Sequence, residues 1–213
     1  MKRVTVLLAD DHAIVVEGLR RVLEAEFDVI GVVGDGRSLV AAAKKLKPDV
    51  IVVDISMPLL NGIDATRQIR TTNHRVKFVF LSVHPDVLYV SEAIQAGGSA
   101  YVSKTSAGTE IMAAIQAALK GQTYLSPSID SRAVQAQIKR DERSHHAPGS
   151  LTRRQREVVQ LVAEGRSTKE IADILRISPR TVEFHRQQVM EQLGLRSIAD
   201  MVQYAVKHRI TSV

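Results

Sequence analysis

The chain has 213 residues, 45% of them hydrophobic and 24% charged, with no cysteine and a net charge of +6. That length suits one large domain or two modest ones, and the lack of cysteine excludes disulfides, thiol nucleophiles and thiolate metal sites, as fits a reducing compartment. No apolar run approaches the length of a bilayer span, and Asp10 and Asp11 break any signal-peptide pattern within the first strand length, so a cytoplasmic location without a membrane partner is expected.

Residues 4–9 read as a strand by their β-branched and apolar content, and that strand ends in Asp10-Asp11. Residues 13–27 carry Ile14, Leu19, Val22, Leu23 and Phe27 at helical spacing. A second strand is predicted at 29–33, turning at Gly34-Asp35-Gly36, and an alanine-rich helix at 38–46 stops before Pro48. Residues 50–53 are four consecutive β-branched apolar residues, the pattern of a strand buried on both faces in a parallel sheet, and Asp54 ends them. Asn61-Gly62 opens a helix through Arg70. A fourth strand at 77–82 ends on Ser82, a helix follows at 87–96, and a fifth strand at 99–103 ends at Lys104. A helix at 109–119 closes the unit.

Five alternations of strand and helix predict an α/β fold, a doubly wound five-stranded parallel sheet over residues 1–122. A dinucleotide-binding site is disfavoured, because Gly31, Gly34 and Gly36 follow the order G-x-x-G-x-G rather than the phosphate-cradling G-x-G-x-x-G. Residues 123–148 have linker composition, polar and charged and closing on Pro148, although 131–138 can still form a helix. The His145-His146 pair there lacks carboxylate or cysteine neighbours and reads as solvated rather than metal-binding. From residue 149 to 213 the pattern is helical only, a smaller all-α four-helix domain. Helices capped by Thr152, by Ser167 or Thr168, and by Ser178-Pro179 are followed by a fourth at 197–207, with Ile198, Met201, Val202 and Ala205 on one face. Two short helices and a turn before a capped longer helix is helix-turn-helix spacing.

Asp10, Asp11, Asp54, Ser82 and Lys104 all stand at strand ends, the rim where open parallel sheets bind ligands. Asp54 taken alone reads equally well as a turn cap; its companions on the rim decide between the two. Three carboxylates repel one another and form a hard-oxygen site suited to Mg2+. Asp54 is then the nucleophile toward a phosphoryl group, Lys104 spreads the transferring charge, and Ser82 donates a hydrogen bond to the product.

Asp10-Asp11, Asp54 followed by Met57-Pro58, Ser82, Tyr101 and Lys104 resemble the receiver domain of two-component response regulators. The second half resembles the LuxR-type helix-turn-helix through Leu151-Thr152, Arg156-Glu157, 163–165, 169–172, Ile177-Ser178, Thr181-Val182, His185 and 193–195. The pair in this order is similar to the NarL/FixJ class. The resemblance implies a phosphoacceptor Asp54 served by a sensor histidine kinase. It also implies Mg2+ held by Asp11, Asp54 and the Ser56 backbone carbonyl with Asp10 acting through water, a switch made of Ser82 and Tyr101, and a homodimer on double-stranded DNA. Thr105 stands where many receivers have proline, Gln155 where the helical family usually has Glu, and Gln192 where it usually has Lys.

The charge distribution fits that division. Residues 1–119 carry 13 basic and 13 acidic side chains, 120–148 carry 5 and 3, and 149–213 carry 11 and 7, so the excess lies late in the chain, as on a DNA-facing domain. On the helix from Pro179, Val182, His185, Val189 and Leu193 share one face and are expected inward. Glu183, Phe184 and Gln187 then face base edges, and Lys169, Arg180 and Arg186 face phosphates, with Thr181 completing the set. An exposed helix residue without a base contact competes as the reading of Glu183, and a static core aromatic as that of Tyr101. At the level of function the competitors are a metal-dependent phosphatase and a DNA-binding protein whose receiver senses partners without phosphate.

Overall fold

The computed structural model describes residues 3–144 and 151–211. The chain divides into two compact units, Met1–His145 and His146–Val213. In the first, β1 (Thr5–Ala9), β2 (Asp28–Val33), β3 (Val50–Asp54), β4 (Lys77–Ser82), β5 (Ala100–Ser103) and β6 (Tyr124–Leu125) form one sheet of order β2-β1-β3-β4-β5-β6. Every pairing is parallel. Helices α1 (Ala13–Leu23), α2 (Gly36–Leu46), α3 (Gly62–Arg70), α4 (Val87–Gln95) and α5 (Ala107–Leu119) connect the strands.

All five residues of β3 are buried, as expected for a strand covered on both sides. Because side chains alternate along a strand, Leu7, Ile51, Val53, Phe78 and Phe80 belong to one apolar cluster, and Val6, Leu8, Val50, Val52, Val79 and Leu81 to another. Asp35, Asn61 and Asp86 cap α2, α3 and α4 by accepting hydrogen bonds from first-turn backbone N–H groups. Gly62 brings α3 against the end of β3: a Cβ there would lie 2.0 Å from the Asp54 carbonyl oxygen, so no larger residue fits.

Two features depart from the residue pattern. The sheet has six strands rather than five, because Tyr124 N donates to Ser99 O and Ser126 N to Tyr101 O, which adds β6 alongside β5. A two-residue strand is too short to leave a periodic signature. Helix α6 (Ser131–Ser144) then runs through most of the segment read as linker. Ile129 and Val134 are buried, and Ile138 partly so, in the cluster that holds Tyr89, Val90 and Ala93 of α4. Gln95 donates to Asp141 across the same two helices. The charged remainder of α6 disguised its narrow apolar stripe. The His145-His146 pair lies outside the described residues.

The second unit consists of α7 (Arg153–Ala163), α8 (Thr168–Leu175), α9 (Pro179–Leu193) and α10 (Ile198–Lys207). Capping boxes start α7 at Thr152 with Gln155, α8 at Ser167 with Glu170, and α10 at Ser197 with Asp200. Val158, Leu161, Ile171, Val182, Val189, Met201, Ala205 and Ile210 are buried. Ile198, which spacing sets on one face of α10 with Met201, Val202 and Ala205, is 50% exposed, since it opens the first turn directly after the cap. Gln155 and Gln192, the two departures within the helical half, meet: Gln155 Nε2 donates to Gln192 Oε1 at 3.4 Å. An amide pair therefore stands where the family pattern would set opposite charges.

Candidate functional site

Strands β1 and β3 are neighbours while β2 lies on the far side of β1, so the direction of winding reverses between them. The rim beyond that reversal is the crevice of doubly wound sheets. Asp10 follows β1, Asp54 ends β3, Ser82 ends β4, and Lys104 follows β5. The structure brings these groups together. Lys104 Nζ lies 2.8 Å from Asp10 Oδ2 and 2.9 Å from Asp54 Oδ2, and both carboxylates are almost fully buried. Asp11 is exposed beside them. Ser56 is half-buried, and its N–H donates to the Asp54 carboxylate.

Burial pushes the Asp54 carboxyl above its ordinary pKa, and the Lys104 ammonium and the Ser56 N–H only partly offset this. For Lys104, burial pulls the pKa down, but attraction to Asp54 and Asp10 outweighs it and leaves the ammonium above its ordinary value. The contact thus favours the ammonium of Lys104, while burial remains the larger influence on Asp54.

His12 joins this site, and the residue pattern did not single it out. Its N–H donates to Asp10 Oδ1 at 2.9 Å, and its Nδ1 lies 3.0 Å from Asp10 Oδ1 and 2.9 Å from Asp11 Oδ1. Asp10, Asp11, His12 and Asp54 each offer one ligand atom, all within 4.8 Å of one another. This donor set, three carboxylates and one imidazole, fits a divalent cation. The signal available in the sequence was position alone, because a side chain directly after two rim carboxylates starts the next helix beside them.

Ser82 and Tyr101 both engage the backbone of His84. His84 N donates to Ser82 Oγ at 3.0 Å, and the Tyr101 hydroxyl donates to His84 O. Tyr101 is fully buried, and burial pushes its hydroxyl pKa far above the ordinary value. The His84 ring stacks on Tyr89 of α4, with centroids 4.8 Å apart. The Lys104–Thr105 peptide bond is trans, as are all those of the described residues.

In the helical unit, Lys169, Arg180, Glu183, Phe184 and Gln187 are exposed. Val182 and Val189 are buried and His185 and Leu193 half-buried, so α9 packs through the face anticipated from spacing. Burial, with the Arg154 guanidinium adding to it, holds His185 below its ordinary pKa. Arg186 and Glu183 depart from the simple picture of free outward groups. Arg186 donates to Glu183 Oε1 at 2.8 Å and to Thr168 Oγ1 at 3.1 Å, and Thr168 donates to the same Glu183 oxygen at 2.6 Å. With its side chain only 19% exposed, Arg186 ties α9 to the start of α8. Gln187 donates to Glu191, and Thr181 shares a hydrogen bond with Ser178. Among the described residues no helix is long and apolar enough to cross a membrane.

Comparison with known proteins matches both units. Residues 6–116 match the response regulator receiver domain, and residues 149–205 match the bacterial regulatory proteins of the luxR family. The chain is 34% identical to the transcriptional regulatory protein MctR of Rhizobium johnstonii over 99% of its length and 96% of that protein's. It is 31% identical to the response regulator UvrY of Escherichia coli, covering 96% of this chain and 94% of that one. Among solved structures, RcsB of Salmonella enterica serovar Typhimurium bound to a promoter in the presence of phosphomimetic BeF3- aligns over the whole of both chains, with a TM-score of 0.59 and 25% identity. With a receiver domain followed by a LuxR-type helix-turn-helix domain, the chain belongs to the NarL/FixJ-type response regulators that control transcription.

Proposed function

We propose that Asp54 accepts a phosphoryl group from a sensor histidine kinase and that this acceptance controls sequence-specific DNA binding by the helical domain. The observation that carries the reading is Lys104 bridging the buried Asp10 and Asp54 within a cluster of ligand atoms on the sheet rim. The Asp54 carboxylate attacks phosphorus, the kinase imidazole leaves, and an aspartyl phosphate results. Lys104 exchanges its Asp54 contact for the phosphoryl oxygens, which carry most of the developing charge. Asp11 and Asp54, with the Ser56 carbonyl and the neighbouring Asp10, would hold Mg2+. When bound, Mg2+ neutralises the repulsion between carboxylates and polarises the phosphoryl group. The chain acts on no external substrate; it catalyses only its own phosphorylation and the later hydrolysis of the acyl phosphate.

The new dianionic group draws the Ser82 hydroxyl toward it, which frees the His84 N–H that Ser82 now accepts. Tyr101 is hydrogen-bonded to the carbonyl of the same residue, so both switch residues bear on the backbone of His84, shortly before α4. The working domain limits are 1–122 for the receiver, with β6 and α6 added to it, and 149–213 for DNA binding. The helical domain binds as a homodimer, with Gln187, Phe184 and Glu183 toward base edges and Lys169, Arg180 and Thr181 toward phosphates, and Arg186 contributes charge while positioning Glu183. A solved structure of RcsB dimers bound to DNA supports the dimeric binding, and a DNA partner together with a histidine kinase implies a cytoplasmic protein. Intact-mass measurement after exposure to a small phosphodonor and Mg2+ tests the central step: the parent gains one phosphoryl group and Asp54→Asn gains none. Stoichiometric labelling of that variant would overturn the assignment.

A further inference from the structure

The reaction above uses oxygen ligands only, yet the donor set at the sheet rim contains an imidazole. We propose that His12 makes the metal site selective, adding a nitrogen ligand for a borderline first-row cation of the Fe2+ to Zn2+ range, while Mg2+ is held through oxygen alone. This inference rests on the metal-binding reading of the rim.

The geometry carries it. His12 Nδ1 is 2.9 Å from Asp11 Oδ1 and 3.0 Å from Asp10 Oδ1, and with the Asp54 ligand atom the group fits within 4.8 Å. Neighbouring ligands on an octahedral cation with bonds of about 2.1 Å are separated by about 3.0 Å, so Nδ1 already stands at ligand spacing from Asp11. Asp10 divides its two oxygens, Oδ1 toward His12 and Oδ2 toward Lys104. Asp11 keeps an exposed carboxylate beside the ring. The His12 side chain does not cap α1, so no helix-capping duty explains its orientation. Imidazole raises affinity for Fe2+, Co2+, Ni2+ and Zn2+ far more than for Mg2+, which takes carboxylates and water. The same distances also suit a ring that only donates a hydrogen bond to the two carboxylates. Such a ring would support every cation alike, and that difference is measurable.

The experiment uses the full chain and two probes, Mg2+ and Co2+, and counts only Co2+ that excess Mg2+ displaces. His12→Gln keeps an N–H donor for the carboxylates but has no nitrogen lone pair, and His12→Ala removes both. Calorimetric titration is expected to show the Co2+ dissociation constant rising by on the order of tenfold in both variants while that of Mg2+ changes less than about twofold. The visible Co2+ spectrum should shift at the same time, as nitrogen leaves the coordination sphere. An equal change for Co2+ and Mg2+, or no change in either, overturns the ligand role and leaves the Mg2+ reading standing. Absence of any Mg2+-displaceable Co2+ in the parent, together with Asp54 labelling that needs no Mg2+, would overturn both.

Discussion

The two units position their working groups in opposite ways. In the receiver the rim groups are buried and locked onto one another, with Lys104 on Asp10 and Asp54, and Ser82 and Tyr101 on His84. In the helical unit Lys169, Arg180, Phe184 and Gln187 lie exposed, and what is locked is the scaffold beneath them, through helix caps and the Arg186–Glu183–Thr168 link. A buried, mutually paired site should respond to a single change in an all-or-none manner, because each group's charge is balanced by the next. An exposed set of contacts should respond in small, separable steps.

The largest expected effect is Asp54→Asn, which leaves the Lys104 contact sterically intact but removes the nucleophile; labelling by a small phosphodonor falls to zero while the circular dichroism spectrum is unchanged. Smaller steps are expected on α9. Gln187→Ala should cost about 1–3 kcal/mol of discrimination at one base position, whereas Lys169→Ala should weaken binding to all sequences and reduce the salt slope by about 1. DNA titrations at several salt concentrations separate the two, and the opposite pattern would show that α9 is wrongly placed. Ser82→Ala sits between the regimes: the hydroxyl leaves the locked site, but no charge is lost. Labelling of Asp54 should remain near normal, with phosphate-induced dimerisation and DNA affinity reduced several-fold by light scattering and titration. Full activation of that variant would dismiss the Ser82 switch.

The smallest effects belong to the caps. Ser167→Ala or Ser197→Ala should cost about 1 kcal/mol of stability, read from denaturant unfolding. Hydrogen bonds from Ser167 hold Glu170 below its ordinary pKa, and backbone and side-chain donors of Arg196 and Ser197 do the same for Asp200. A depressed folded-state value means the stabilisation is complete above the unfolded carboxylate pKa, about 4, and is lost as pH falls through the lower folded value. The gap between the melting temperatures of the Ser167→Ala and parent chains should therefore be wider at neutral pH and narrow below that range, where the capping bond from the Glu170 N–H remains.

Residue order alone carried the alternation of strands and helices, the rim positions of Asp10, Asp54, Ser82 and Lys104, and the three capped starts of α7, α8 and α9. All of these depend on local periodicity, turn chemistry or the end of a strand, which are written in consecutive residues. Three things were settled only by packing. Strand β6 exists because the neighbouring β5 offers free backbone groups to Tyr124 and Ser126, and two residues have no period of their own. Helix α6 is defined by the apolar face of α4, which Val134 and Ile138 cover although their surroundings look like linker. The approach of His12 to Asp10 and Asp11, and the turn of Arg186 toward Thr168, depend on side-chain directions that spacing does not encode. Contacts between residues distant in the chain, or between rotamers of close neighbours, arise only once the backbone has brought their partners into place.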